Sequence, residues 1–103
     1  MFNFTSILFS YMKNIRLVIA DDHEIFLDGL ALMLNKQENM TVVGQAFNGR
    51  ELVQLVAEKK PDIVLTDIKM PYLDGIGACR LMLQQDPQLK IIALSMFEEE
   101  DLI

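Results

Sequence analysis

A short apolar run that ends in an acid constrains the fold of this chain more than any other feature. Residues 63–66 read IVLT, with no polar alternation, and Asp67 comes directly after them. Such a run is typical of a strand that is buried on both faces, as the central strands of parallel sheets are. Because ligands of open α/β sheets bind outside the carboxyl ends of the strands, Asp67 is the first candidate for a functional residue.

The same pattern occurs upstream. After Arg16, residues 17–20 form another apolar run, and Asp21 and Asp22 follow it. Apolar residues at three- and four-residue spacing then predict a helix with one broad apolar face, formed by Phe26, Leu27, Leu30, Ala31, Met33 and Leu34. This segment therefore predicts a strand, an acidic turn and a helix.

The remaining segments continue the alternation. Asn48 and Glu51 resemble a capping box at the start of a helix that extends to Lys60. Further strands are predicted at 40–46 and 91–94, and further helices at 76–85 and, in part, at 97–103. Alternating strands and helices predict an α/β protein with a doubly wound parallel sheet and helices on both faces.

Composition narrows the functional classes. A chain of 103 residues, 51% of them hydrophobic, suits one globular domain. Because the net charge is −6 and no long basic run is present, we expect this piece not to bind nucleic acid by itself. The single cysteine, Cys79, excludes an internal disulfide and is interpreted as a small buried hydrophobe, which fits the reducing cytoplasm.

Residues 1–14 are interpreted as an extension that precedes the domain. They are apolar but are interrupted by polar residues, so no apolar run approaches the ~20 residues that a membrane-spanning helix needs. They also lack the positive region and the cleavage site of a secretory signal. We therefore predict a cytoplasmic protein without membrane contact, and Met12 is an alternative start because a strand follows it closely.

The acids at the ends of two strands define the candidate site. If the first and third strands are neighbours, Asp21, Asp22 and Asp67 converge at one edge of the sheet, and Ser95 reaches that edge from the fourth strand. A divalent cation offsets the repulsion among three carboxylates, and oxygen ligands without a Cys or His cluster suit Mg²⁺. An aspartate beside such an ion can attack phosphorus and form an aspartyl phosphate.

Each acid also has a purely structural interpretation. An Asp at a strand end often caps a helix or forms a turn, and each of the three taken singly is more commonly of that kind. The one histidine, His23, is assigned no role, because at the start of a helix it is interpreted as solvent-facing or locally packed. The acids at 98–101 are interpreted as a solvated helix start. The hypothesis of a site depends on acids ending two different buried strands.

Three segments carry a resemblance to a known family. IRLVIADDH, PDIVLTDIKMPYLDGI and KIIALS are similar to segments of the receiver domains of bacterial two-component response regulators. ADDHEIFLDGL and VVGQAFNGRE most resemble the NarL/FixJ subfamily, whose receivers usually precede a LuxR-type helix-turn-helix domain. The resemblance extends over residues 15–103 and implies a flavodoxin-like sheet with the strand order 2-1-3-4.

The resemblance also implies a role for each site residue. Asp67 would accept the phosphoryl group and contact Mg²⁺, which Asp22 would bind directly and Asp21 largely through water. The main-chain carbonyl of Lys69 would be a further metal ligand, and Ser95 would hydrogen-bond the phosphoryl group. The donor would be a sensor histidine kinase. The domain would be no enzyme beyond catalysing its own phosphorylation and dephosphorylation, and in the intact protein it would control a DNA-binding transcriptional output domain.

The sequence departs from the family after the fourth strand. The family's fifth strand, which ends in a phosphate-binding lysine, and its fifth helix have no counterpart here. No catalytic lysine is therefore assigned, because Lys69 lies in a different loop. The fourth strand becomes an uncovered edge. We expect residues 1–14 or a second copy of the chain to cover it, in a homodimer or a dimer formed by exchange of a strand or helix.

Two other functions compete with a phosphoacceptor role. A receiver-like interaction module that has lost switching fits the missing fifth strand. A Mg²⁺-dependent phosphohydrolase that forms an aspartyl phosphate, as haloacid-dehalogenase-like phosphatases do, needs an acid two residues after the nucleophile, where this chain has Lys69. The phosphoacceptor hypothesis is therefore favoured, and phosphorylation by acetyl phosphate discriminates among the three.

Overall fold

The computed structural model describes residues 13–94, which form four strands and three helices. The strands are β1 (Ile15–Ala20), β2 (Met40–Ala46), β3 (Ile63–Asp67) and β4 (Lys90–Leu94), and the helices are α1 (Glu24–Asn35), α2 (Gly49–Lys59) and α3 (Gly75–Gln85). The predicted alternation is confirmed over this range. Ser95, the predicted last helix and residues 1–12 of the predicted extension lie outside the described residues. None of the three helices combines the length and the apolar character needed to cross a membrane.

The four strands form one parallel sheet in the order β2-β1-β3-β4. β1 pairs with β3 in a register that places Ala20 opposite Thr66. β3 also pairs with β4, and Asp67 lies opposite Leu94. The predicted strand order is confirmed, and it places the carboxyl ends of β1 and β3 side by side.

The helices cover both faces of the sheet. Because successive residues of a strand point to opposite faces, β1 contributes to two cores. Buried residues of the core under α2 and α3 include Val18, Leu52, Val64 and Met82, and those under α1 are Ile19, Leu27 and Ala31. Burial of Leu27 or Leu52 stabilises the fold by about 1.5–3 kcal/mol each. Cys79, predicted to be a buried hydrophobe, is half-buried against the first core.

The two faces of β3 differ in burial. Val64 and Thr66, on the face that packs against α2 and α3, are 0% and 1% exposed. Ile63 and Leu65 point to the opposite face and are only partly buried. Within residues 13–94, α1 is the one helix on that face, and it packs against Ile19 of β1 at its centre. The prediction that β3 is buried on both faces is therefore correct for one face and wrong for the other.

The predicted apolar face of α1 contacts the core at four of its six positions, while Phe26 is only partly buried and Met33 is exposed. Leu27, Leu30, Ala31 and Leu34 contact the core, as their i, i+3, i+4 and i+7 spacing predicts. Met33 is 56% exposed, because this stripe already spans the surface that the helix presents to the sheet. α1 therefore carries more apolar residues than its contact with the sheet can bury.

Side-chain caps begin two of the helices. Asn48 accepts a hydrogen bond from the Glu51 N–H at the start of α2, as the predicted capping box requires. The Glu51 carboxylate accepts from the N–H of Phe47, one residue before the cap. At α3, Asp74 Oδ1 accepts from the Gly77 N–H. A cap of this kind is worth about 1 kcal/mol, so both helices that line the larger core have locally defined starts.

Two glycines have contrasting surroundings. Gly49 donates its N–H to the carbonyl oxygen of Leu73 over 2.8 Å, and a Cβ on Gly49 would lie 2.0 Å from that oxygen. Gly29 lies in the exposed middle of α1, and no atom lies within 4 Å of a Cβ built there. Close approach to the loop after β3 therefore requires glycine at 49, whereas nothing in the packing requires it at 29.

We predict opposite effects on stability for alanine at these positions. Gly29→Ala should raise the free energy of unfolding by about 0.5–1 kcal/mol, because alanine loses less backbone entropy in a helix. Gly49→Ala should lower it by about 2 kcal/mol or more, because the backbone must move and its hydrogen bond to Leu73 is lost. Urea unfolding followed by circular dichroism measures both, and equal effects of the two variants would contradict the close approach.

Candidate metal and phosphoacceptor site

The carboxyl ends of β1 and β3 bring the predicted acids together. Asp21 and Asp22 follow β1 directly, and Asp67 is the last residue of the neighbouring strand β3. One ligand atom from each of these residues, and one from His23, all lie within 4.8 Å of one another. Asp21, Asp22 and Asp67, hereafter the acid cluster, therefore form one compact group although Asp67 follows Asp22 by 45 positions in the sequence.

Asp21 is the buried member of the acid cluster. Its side chain is 1% exposed, whereas that of Asp22 is 37% exposed. The Asp21 N–H donates to the carbonyl of Ala46 over 3.1 Å, which ties the start of the turn to β2. Asp21 Oδ1 accepts from the backbone N–H of His23 over 2.8 Å, which forms an Asx turn. This arrangement fixes one carboxylate and leaves its neighbour open to solvent.

Asp67 is oriented by its own chain neighbours. Its Oδ1 accepts a hydrogen bond from the N–H of Ile68 over 2.8 Å, and its main-chain carbonyl accepts from Thr66 Oγ1 over 2.9 Å. No donor among the described residues reaches its second carboxylate oxygen, Oδ2. The backbone therefore fixes one carboxylate oxygen of this partly buried residue and leaves the other without a donor from the described part of the chain.

The loop after β3 closes tightly over Asp67. Gly75 donates its N–H to the carbonyl of Ile68 over 2.8 Å, and a Cβ on Gly75 would lie 2.1 Å from the main-chain oxygen of Asp67. Within the loop, Leu73 donates to the carbonyl of Pro71, and Tyr72 between them has a φ of 67°. This i to i+2 hydrogen bond and the positive φ define a γ-turn. Gly75 therefore allows the loop to lie against the main chain of Asp67, a close approach that the Asp74–Gly75 turn signal alone did not reveal.

His23 contacts the acid cluster although the sequence assigned it no role. Its side chain is 67% exposed, and its Nδ1 lies 2.7 Å from Asp21 Oδ1 and 3.2 Å from Asp22 Oδ1. The hydrogen bond to Asp21 raises the pKa of His23 above its ordinary value of 6.5, and the negative charges of Asp22 and Asp21 raise it further. The missed signal was the spacing: the Asx turn at Asp21 brings the residue two positions later back to the carboxylate.

The donor set of the acid cluster fits Mg²⁺. All three side chains offer carboxylate oxygens, the hard ligands that this ion prefers, and their ligand atoms are already grouped within 4.8 Å. Mg²⁺ in proteins usually binds to one or two carboxylates and keeps several water molecules, which the exposure of Asp22 permits. The ligand atoms of Asp21 and Asp22 are therefore placed to hold such an ion next to the Asp67 carboxylate.

Two other predicted site residues are not placed by this geometry. Lys69 lies in the loop after Asp67 with an exposed side chain, and the role of its main-chain carbonyl stays a prediction. Ser95 follows β4 but lies outside the described residues, so its role stays a prediction as well. The site that the structure describes therefore consists of the three acids and His23.

Proteins with sequences similar to this chain are named as response regulators or transcriptional regulatory proteins. Response regulator GacA of Pseudomonas viridiflava is 40% identical to this chain over 86 residues, which are 84% of this chain and 40% of GacA. An uncharacterized transcriptional regulatory protein of Bacillus subtilis, YhcZ, is 40% identical over 86 residues with the same coverage of 84% and 40%. The chain therefore spans about two fifths of the length of these curated relatives.

Solved structures show the same fold. The receiver domain of the putative response regulator NarL from Mycobacterium tuberculosis is 26% identical with a TM-score of 0.78, and the match covers 88% of this chain and 73% of that one. The CheX-CheY-BeF3-Mg complex from Borrelia burgdorferi contains a chain that is 25% identical with a TM-score of 0.79, covering 92% and 72%.

The fold and the acid cluster define a class of protein: a parallel α/β domain with three grouped carboxylates at the carboxyl ends of its two central strands. Residues 17–103 match the response regulator receiver domain family. The chain belongs to this family, which acts in two-component regulatory systems. The predicted resemblance, including its similarity to NarL-type regulators, is confirmed.

We predict that His23 makes stability depend on pH in metal-free buffer. Because the folded-state pKa lies above the unfolded value of about 6.5, its stabilising effect is fully present below about pH 6 and is lost as the pH rises through the folded-state pKa. The difference in unfolding free energy between wild type and His23→Ala should therefore be larger below pH 6 than in alkaline buffer. An NMR titration of the imidazole with a midpoint at or below 6.5 would contradict this.

Proposed function

We propose that this domain accepts a phosphoryl group on Asp67 and that Mg²⁺ bound by the acid cluster assists the transfer. The observation that carries the proposal is the convergence of three carboxylates at the ends of β1 and β3, in a chain of the receiver family. The hydrogen bond from Ile68 to Oδ1 supports Asp67 as the acceptor, because it leaves Oδ2 free of donors among the described residues.

The proposed transfer is a substitution at phosphorus. A carboxylate oxygen of Asp67 forms a bond to phosphorus while the phosphorus–nitrogen bond of a phosphohistidine breaks, and the departing imidazole regains a proton. When bound, Mg²⁺ neutralises charge on the transferred group. The buried Asp21 and the exposed Asp22 would hold the ion, the Lys69 carbonyl would be a further ligand, and Ser95 would contact the phosphoryl oxygens.

We further propose that the donor is a sensor histidine kinase and that the domain regulates transcription in the cytoplasm through a DNA-binding output domain. The names of the relatives support a regulatory role, since YhcZ is a transcriptional regulatory protein. The net charge of −6 supports an output domain that binds DNA separately from this piece. In this proposal the domain performs its own phosphorylation and dephosphorylation and is otherwise no enzyme.

We predict that acetyl phosphate with Mg²⁺ adds one phosphoryl group to the wild-type protein, as measured by intact mass. Asp67→Asn should abolish the mass increase, because an amide oxygen is too weak a nucleophile, and chelation of Mg²⁺ should abolish it in the wild type. Asp74→Asn is the matched control: it makes the same change in charge in the same loop, and asparagine caps a helix as well as aspartate does.

Other results of this experiment, or activity in a separate assay with a phosphate ester, would support the competing functions. A wild-type protein that gains no mass at any donor concentration would indicate an interaction module without phosphoacceptor activity. Repeated turnover of a generic phosphate ester, such as p-nitrophenyl phosphate, would indicate a phosphohydrolase. A mass increase that survives in Asp67→Asn would show that another residue is the acceptor.

We also propose that a second copy of the chain packs on the surface beside β4. Within residues 13–94, β4 pairs with β3 alone, and Ile92 is 50% exposed. Ile92 lies opposite the partly buried Leu65 of β3, so the two form a continuous apolar surface on the α1 face of the sheet. An apolar surface beside an open strand edge favours association.

We predict that Ile92→Lys shifts the protein from dimer toward monomer at high concentration, as measured by light scattering. A buried charge at the contact would disfavour association. Ile76→Lys is the matched control, because Ile76 is 53% exposed on α3, which packs against the opposite face of the sheet, and it receives the same change. A wild-type protein that is monomeric at every concentration would remove the proposal.

A further inference from the structure

His23 occupies a position between two members of the acid cluster. Its Nδ1 lies 2.7 Å from Asp21 Oδ1 and 3.2 Å from Asp22 Oδ1, and the ligand atoms of all four residues lie within 4.8 Å. Both ion pairs within the part of the chain that the structure describes involve this nitrogen. The imidazole therefore lies where a cation shared by the two carboxylates would lie.

We propose that the His23 side chain is an internal competitor of Mg²⁺, which must displace the imidazole from Asp21 in order to bind. This inference deepens the proposed function, because it depends on the metal site of the acid cluster. It makes His23 a positioning residue that sets the affinity for the ion, with no part in the phosphoryl transfer itself.

The hydrogen-bond chemistry favours a competitor over a metal ligand. To donate to Asp21 Oδ1, Nδ1 must carry a proton, and a nitrogen that carries a proton has no lone pair for a metal. The neutral tautomer with the proton on Nδ1 already makes this contact, so the competition needs no change of charge. Mg²⁺ also prefers oxygen ligands, which the carboxylates supply once the imidazole has left.

The surroundings of His23 permit the displacement. The side chain is 67% exposed, so it can move into solvent without opening the core. Asp21 Oδ1 keeps the hydrogen bond from the backbone N–H of His23, at 2.8 Å, when the side chain leaves. The carboxylate therefore stays oriented for the ion in both states.

The test compares Mg²⁺ affinity, measured by isothermal titration calorimetry, in the wild type and three variants of the whole chain. His23→Phe keeps a planar ring without a donor, and His23→Asn keeps an N–H donor on the atom bonded to Cγ, where Nδ1 is bonded in histidine. Ile25→Ala is the control, a substitution at a position of α1 that is 89% exposed and lies two residues after His23. The pH is set well above the titration range of the imidazole, so that His23 is neutral throughout.

We expect His23→Phe to bind Mg²⁺ about three- to tenfold more tightly than the wild type, a factor that corresponds to the net free energy of one hydrogen bond. His23→Asn and Ile25→Ala should bind with affinities near that of the wild type. In the wild type, the ¹⁵N resonance of Nδ1 should lose the signature of its hydrogen bond as Mg²⁺ is added.

The opposite result would overturn the inference. Weaker Mg²⁺ binding by His23→Phe would make His23 a ligand, and equal binding by His23→Phe and wild type, or an Nδ1 resonance that Mg²⁺ leaves unchanged, would show that the imidazole does not compete. Failure of the proposed function has a different signature, the absence of a mass increase with acetyl phosphate. A wild type that binds no Mg²⁺ would overturn the metal site itself and this inference with it.

Discussion

The parallel pairing of β1 with β3 is the constraint on which the site depends. Ala20 lies opposite Thr66, so the next residue of each strand, Asp21 and Asp67, emerges at the same edge. Val18 and Val64 pair in the same register, and both are fully buried in the core under α2 and α3. A shift of β3 by one residue would turn its buried side chains to the other face, so core packing holds the acids together.

The loop after β3 sets the local position of Asp67 by backbone contacts. Gly49 and Gly75 allow the loop to approach α2 and β3 closely, and their hydrogen bonds to Leu73 and Ile68 fix its path. Tyr72 adopts a φ of 67° there, a conformation that costs a bulky residue about 1–2 kcal/mol, although its side chain is 83% exposed. The contacts around the loop therefore impose this strain. They outweigh the preference of a tyrosine for a negative φ.

The strands, the helices and the position of the site could be predicted from two features of the sequence, the spacing of apolar residues and the acids at the strand ends. Asp21, Asp22 and Asp67 follow apolar runs, and the rule that parallel strands present their carboxyl ends together predicted their convergence. The sequence could not show what His23 contacts, because that depends on the side-chain geometry of one Asx turn. The sequence also could not show that Leu65 is only partly buried. An apolar residue is compatible with a face of the sheet that a helix covers and with one that no helix covers.

The hydrogen bonds that orient the acid cluster explain how its carboxylates can be ordered and still be free to bind a cation. Backbone N–H groups of His23 and Ile68 hold the carboxylates of Asp21 and Asp67, and no Lys or Arg among residues 13–94 forms an ion pair with them. A fixed cation would neutralise the cluster permanently, whereas neutral donors leave its charge for an ion. A cation that binds the folded state alone then stabilises the fold by mass action, so the fold and the site are thermodynamically linked.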